Sequence, residues 1–95
     1  MDNIAWTETA KESYMQTLGF IFDRWSLDVA LQWDHKVQKL LKNLSTQTNL
    51  CPPSPKYKGL RQCVITQYTS LIYRVDTNNN VELITFYDSR SDHPF

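Results

Sequence analysis

At 95 residues the chain has room for one hydrophobic core and excludes two. An apolar content of 41% with 13% aromatics excludes disorder, and apolar runs no longer than Phe20-Ile21-Phe22 exclude a membrane helix of ~20 residues. The acidic opening Met1-Asp2-Asn3-Ile4 has no basic-then-apolar layout, so no signal peptide and a cytoplasmic location are expected.

Ile4-Ala5-Trp6 reads as a short strand, and Thr7 with Glu8 behind it reads as the N-cap and first turn of a helix. Ala10, Tyr14, Leu18, Ile21, Phe22 and Trp25 recur at helical spacing and predict a core-facing stripe over residues 7–25. Gly19 within it costs about 1 kcal/mol relative to alanine and is a candidate for a close helix contact. Ser26 is the next N-cap, and Ala30, Trp33, Val37, Leu40, Leu41 and Leu44 form a second stripe, so two helices with almost no linker should make an antiparallel hairpin. Residues 45–58, with Pro52, Pro53 and Pro55, cannot continue the helix and form a long loop ending in Lys56-Tyr57-Lys58-Gly59. Strand-like runs over 62–67, 71–75 and 81–87, separated by short connections rich in turn formers, predict an antiparallel meander. The fold class is therefore α+β in the order β-α-α-β-β-β, an antiparallel sheet packed against a two-helix hairpin, in one domain over residues 1–95.

Residues 1–34 hold six acids against two bases, residues 35–75 hold seven bases and no acid, and residues 76–95 hold four acids against Arg90. A net charge of zero thus conceals a central block of +7, whose field suits phosphates or an acidic protein partner. Cys51 and Cys63 lack zinc-ligand spacing, and His35 and His93 stand alone, so neither metal nor cofactor is expected. Cys63, in the run Cys63-Val64-Ile65, reads as a buried small hydrophobe and Cys51 as a free thiol, with a disulfide disfavoured by the expected compartment.

Four segments in order carry a family resemblance: Ile4-Ala5-Trp6-Thr7-Glu8-Thr9-Ala10, Gly59-Leu60-Arg61, Leu71-Ile72-Tyr73-Arg74-Val75, and Leu83-Ile84-Thr85-Phe86-Tyr87-Asp88-Ser89-Arg90. Over about residues 3–94 the chain resembles the RelE/ParE superfamily of toxins from type II toxin–antitoxin modules. The resemblance implies a co-encoded antitoxin as partner, no membrane, and one of two targets. RelE-like members are metal-independent endoribonucleases that cleave messenger RNA on the ribosome; ParE-like members inhibit DNA gyrase.

Cleavage of RNA through its own 2′-hydroxyl needs a base, cations for the charge building on the phosphate, and an acid for the leaving oxygen. Arg61 and Arg90 are the cations that the resemblance singles out, and Tyr87 or His93 would supply the acid. Lys56, Lys58 and Arg74 would bind phosphate or a partner, and Tyr57 or Tyr87 would stack a base. Two departures from the nuclease pattern favour the gyrase branch: Asp88 stands where nuclease members often carry a histidine, and the chain is neutral where ribosome-binding members are strongly basic. A third reading, from another class, is a protein-interaction domain that kept the fold without toxicity.

Overall fold

Two hydroxyls start the two helices. Thr7 Oγ1 accepts the Ala10 amide at 3.0 Å and opens α1 (Glu8–Arg24), and Ser26 Oγ accepts the Val29 amide at 3.2 Å and opens α2 (Leu27–Thr46). Around them the structure, a computed structural model that describes residues 2–88, places β1 (Ile4–Trp6), β2 (Arg61–Val64), β3 (Thr69–Val75) and β4 (Val81–Asp88). The predicted element order holds.

The second helical stripe faces the core as its spacing requires: Ala30, Trp33, Val37, Leu41 and Leu44 are buried, and Leu40 is half-buried against them. The first departs from the prediction at its end. Ala10, Thr17 and Ile21 are buried, but Phe22 is 51% exposed and Trp25 52%. Phe22 sits about 100° around the helix from Ile21, off the Ala10–Ile21 row. Trp25 is the C-cap, where ψ of −82° and φ of −124° take the chain out of helical geometry. Nor does Gly19 mark a close contact, since a Cβ there would meet nothing within 4 Å.

The sheet order is β1-β4-β3-β2. The meander of β2, β3 and β4 is antiparallel as predicted, but β1 pairs with β4 in parallel, Ile4 opposite Val81 and Trp6 opposite Leu83, so the sheet is mixed. Parallel neighbours need a long crossover, and here the crossover is the helical hairpin plus β2 and β3. Thr7 fastens the junction a second time: its hydroxyl hydrogen is shared between the carbonyls of Leu83 (2.8 Å) and Ile84 (3.0 Å). The Ile84 carbonyl is available because Ile84 has no opposite residue; β3 pairs Ile72 with Thr85 and then Tyr73 with Leu83.

Rings from every layer meet in the core. Tyr14 lies 5.4 Å from Trp6 and 5.4 Å from Trp33, centroid to centroid, and Phe86 lies within 5.6 to 5.9 Å of all three. The Trp33 indole N–H donates to Thr69 Oγ1 at 3.1 Å, so its one polar atom is satisfied. The Tyr14 hydroxyl donates to the Asp34 carboxylate across the hairpin. Burial first, and then the Asp34 hydrogen bond and charge, push the Tyr14 phenol up to about 12.

The cysteines correct the prediction of free thiols: Cys51 and Cys63 form a disulfide with their Cα atoms 5.2 Å apart. The long loop runs back beside β2, and Pro53 pairs with Arg61 in an antiparallel bridge. That register sets Cys51 directly opposite Cys63.

Candidate functional site

Strand alternation divides the candidate residues between two faces. On β2, Arg61 and Cys63 share the helix-covered face with their partners Tyr73 and Leu71, while Gln62 and Val64 share the other face with Ile72 and Ser70. The β3–β4 register adds Arg74 with Glu82, Thr85 and Tyr87 to this second face. No helix packs on it, yet Ile72 and Thr85, an opposed pair, are buried. The long loop crosses here. Ser54 Oγ bonds Gln62 Oε1 at 3.4 Å, and the Lys56 ammonium lies 5.4 Å from the Tyr57 ring centroid and 5.9 Å from that of Tyr87. An ammonium at these distances is held by the two ring faces as a cation–π contact.

Of the sequence-predicted residues, the structure therefore brings Lys56, Tyr57 and Tyr87 together. Lys58 is exposed in the same loop. Arg61 stands apart, on the helix side, where its guanidinium Nη1 donates to the Cys51 carbonyl at 2.7 Å. The Tyr73 hydroxyl completes that corner, donating to the Thr48 carbonyl at 2.7 Å and accepting from the Cys51 amide at 3.4 Å. Burial raises the Tyr73 pKa above the usual phenol value, with the Cys51 amide and the Arg61 charge pulling the other way. Arg74 is engaged as well: Nε and Nη2 both donate to Glu82 Oε1, at 3.1 and 3.0 Å. Ser70, not Arg74, stands opposite Tyr87, and four residues of strand put Arg74 roughly 13 Å further along the same face. Arg90 and His93 lie outside the described residues.

The +7 block of sequence is thus not one patch in space. Lys36, Lys39 and Lys42 are exposed on α2, on the helix side of the sheet, whereas Lys56 sits on the opposite face. No group of three or more metal-ligating side chains occurs among the described residues, and no described helix is long and apolar enough to cross a membrane.

Sequence reasoning missed a second feature, at the turn of the helical hairpin. Phe20, Phe22, Trp25, Leu27, Val29 and Leu31 are all substantially exposed there, and Tyr68 is exposed on the β2–β3 turn. Between α2 and that turn lies a cleft of about 230 Å³ with Ile21, Trp25, Val29, Trp33 and Lys36 on one side and residues 66–69 on the other. The signal was present as an excess: residues 20–31 hold more large apolar side chains than one core-facing stripe can bury.

The family model for the ParE toxin of the parDE type II toxin–antitoxin system matches residues 4–93. The chain belongs to that family. It is a type II toxin, the component that an antitoxin neutralises. Solved structures carry the same fold. A chain of the chromosomal ParDE toxin–antitoxin system of P. aeruginosa superposes with a TM-score of 0.73 at 16% identity, covering 90% of this toxin and 92% of that chain. A YoeB/ParE toxin of Agrobacterium tumefaciens gives 0.63 at 17% identity, covering 90% and 96%. A chain of the YoeB–YefM complex of Staphylococcus aureus gives 0.60 at 21% identity, covering 88% and 92%. No curated protein sequence matches the toxin significantly.

Proposed function

We propose that this ParE-family toxin acts in the cytoplasm by binding and arresting DNA gyrase stoichiometrically, and that it does not cleave messenger RNA. The observation that carries this reading is the dispersal of the cations. A phosphate in a cleavage transition state needs several positive donors converging on one point. Here Arg61 is bonded to the Cys51 carbonyl on the helix side, Arg74 is paired with Glu82, and Tyr87 has only the Lys56 ammonium beside it among the described bases. The zero net charge and Asp88 at the end of β4 agree with it.

A second reading, messenger RNA cleavage in the RelE manner, is favoured by one feature: the helix-free face presents Lys56 between two tyrosine rings, which could seat a base beside its phosphate. Adding purified toxin to a gyrase supercoiling reaction and to a coupled translation reaction separates the two. Gyrase arrest that saturates near one toxin per gyrase subunit, with no new messenger RNA ends, is the expected result. Cleavage that falls ~100-fold or more in Lys56→Ala, Tyr87→Phe or Arg90→Ala variants would replace gyrase with RNA as the target. Growth unaffected by induced expression would leave an interaction domain without toxicity.

The antitoxin is the second partner. We place an acidic amphipathic segment of it along α2, where Lys36 lines the apolar cleft and Lys39 and Lys42 follow, exposed, on the same helix. Opposite charges at an exposed surface attract less in salt, so calorimetric affinity should fall as ionic strength rises from about 0.05 to 0.5 M. A salt-independent affinity would remove the lysines from the interface.

A further inference from the structure

Residues 47–60 connect α2 to β2 without helix or strand, and one covalent bond ties them down. Cys51, near the start of the loop, is 8% exposed, and Cys63, inside β2, is 2% exposed. Beyond Cys51 the loop is attached to β2 by a few hydrogen bonds, the Gln62 amide to the Pro52 carbonyl at 3.0 Å and the Ser54 hydroxyl to Gln62 Oε1 at 3.4 Å. From there it reaches the helix-free face, where Lys56 meets Tyr87. The other ring-and-aliphatic contacts of the core join β1, α1, α2, β3 and β4, with Ile65 just past β2, and among the described residues Cys51 and Cys63 are the buried members of the core that the loop start and β2 contribute.

We infer that the Cys51–Cys63 disulfide is a redox latch, which in the oxidised toxin holds Lys56-Tyr57-Lys58 against the helix-free face and on reduction releases that segment while the helix–sheet core stays folded. The reductant is a small-molecule thiol. Its thiolate attacks the Sγ of Cys51, the less buried cysteine, forming a mixed disulfide and expelling Cys63 as a thiolate that takes up a proton. A second thiol attacks the outer sulfur of the mixed disulfide, releasing Cys51, which is protonated in turn, and a small-molecule disulfide. The toxin gains two electrons and two protons, and two external thiols become one disulfide. Cutting the bond restores to the loop the conformational freedom that closing it had removed. The core loses little, because a free thiol packs as a small hydrophobe in the same place. The inference holds whichever target the toxin takes.

Limited trypsin digestion of the full chain, air-oxidised or pre-incubated with dithiothreitol, tests it, with maleimide counting of thiols in denaturant and near-ultraviolet circular dichroism run alongside. The oxidised toxin should show no reactive thiol and the reduced toxin two. Cleavage after Lys56 and Lys58 should be ~10-fold or more faster in the reduced form, because proteolysis follows the population of the open loop. The melting temperature should drop by on the order of 10 °C, with the near-ultraviolet signal of the core retained at assay temperature. A Cys51→Ser/Cys63→Ser double variant should be cut at the reduced rate with or without thiol. Two free thiols in the untreated toxin would overturn the inference, as would cleavage rates within about twofold of each other. Loss of the near-ultraviolet signal on reduction of the unmutated chain would also overturn it, since the bond would then be a staple of the whole fold.

Discussion

Replacing Trp33 by alanine removes the ring that closes the space between α2 and the sheet. Trp33 is 3% exposed, lies tilted 5.4 Å from Tyr14 and edge to face 5.9 Å from Phe86, and donates its N–H to Thr69. An indole of about 200 Å² at ~25 cal/mol per Å² stabilises the fold by about 5 kcal/mol as an upper estimate. Truncations of comparable rings cost ~3–5 kcal/mol. The lost hydrogen bond adds little, because Thr69 Oγ1 keeps its 2.8 Å bond with Thr66 Oγ1 and is not left unpaired in the core. The expected loss is therefore ~4 kcal/mol, read as a fall of roughly 3 M in the urea midpoint for a domain whose m-value is about 1.3 kcal/mol/M. Trp33→Phe, which keeps a ring but forfeits the N–H, should lose about 1 to 2 kcal/mol and remains measurable if the alanine variant does not fold. A loss below ~1 kcal/mol for Trp33→Ala would mean that the ring is not packed between helix and sheet.

Tyr14 supplies a pH dependence. Its folded pKa of about 12 lies above the ordinary phenol value of about 10, so its contribution is complete below pH 10 and is lost as pH rises toward 12. Urea midpoints at pH 8, 10 and 11 should decline less steeply in Tyr14→Phe than in the unmutated toxin; the raised Tyr73 pKa acts in the same direction and leaves a residual decline. Equal slopes would show that Tyr14 does not report the fold. Thr7→Ala removes both the α1 cap and the tie to β4, and should cost ~1–2 kcal/mol with faster amide exchange at Ala10. Asn79, at φ 63° in the β3–β4 turn, occupies left-handed backbone and accepts the Thr48 hydroxyl at 2.5 Å. Asn79→Ala should lose about 1–2 kcal/mol, whereas Asn79→Gly, free of the backbone strain, should lose less. Thermal denaturation ranks the two; equal losses would assign the whole cost to the Thr48 bond, and the reverse order would refute the strain at Asn79.

Local chemistry made the elements legible in the sequence. Thr7 and Ser26 are caps because of the residues that directly follow them, α2 is read correctly because the row from Ala30 to Leu44 repeats every three or four positions, and Asp76 to Asn80 turns because its side chains bond their own backbone. The family resemblance was legible for the same reason, being carried by short segments in order. What tertiary structure alone decided was everything that depends on register between distant segments. The parallel pairing of β1 with β4 joins residues 77 apart, Ile4 and Val81, and neither strand's sequence states its partner. The disulfide follows from the Pro53–Arg61 bridge, which no spacing of two cysteines announces. The candidate site divides for the same reason: Arg61 and Tyr87 are both at strand positions, but a side-chain period of two sends Arg61 to the helix side and Tyr87 to the open face. One residue of slip in β2 would have put Arg61 beside Gln62's present neighbours, and strand register is fixed only when the faces are packed.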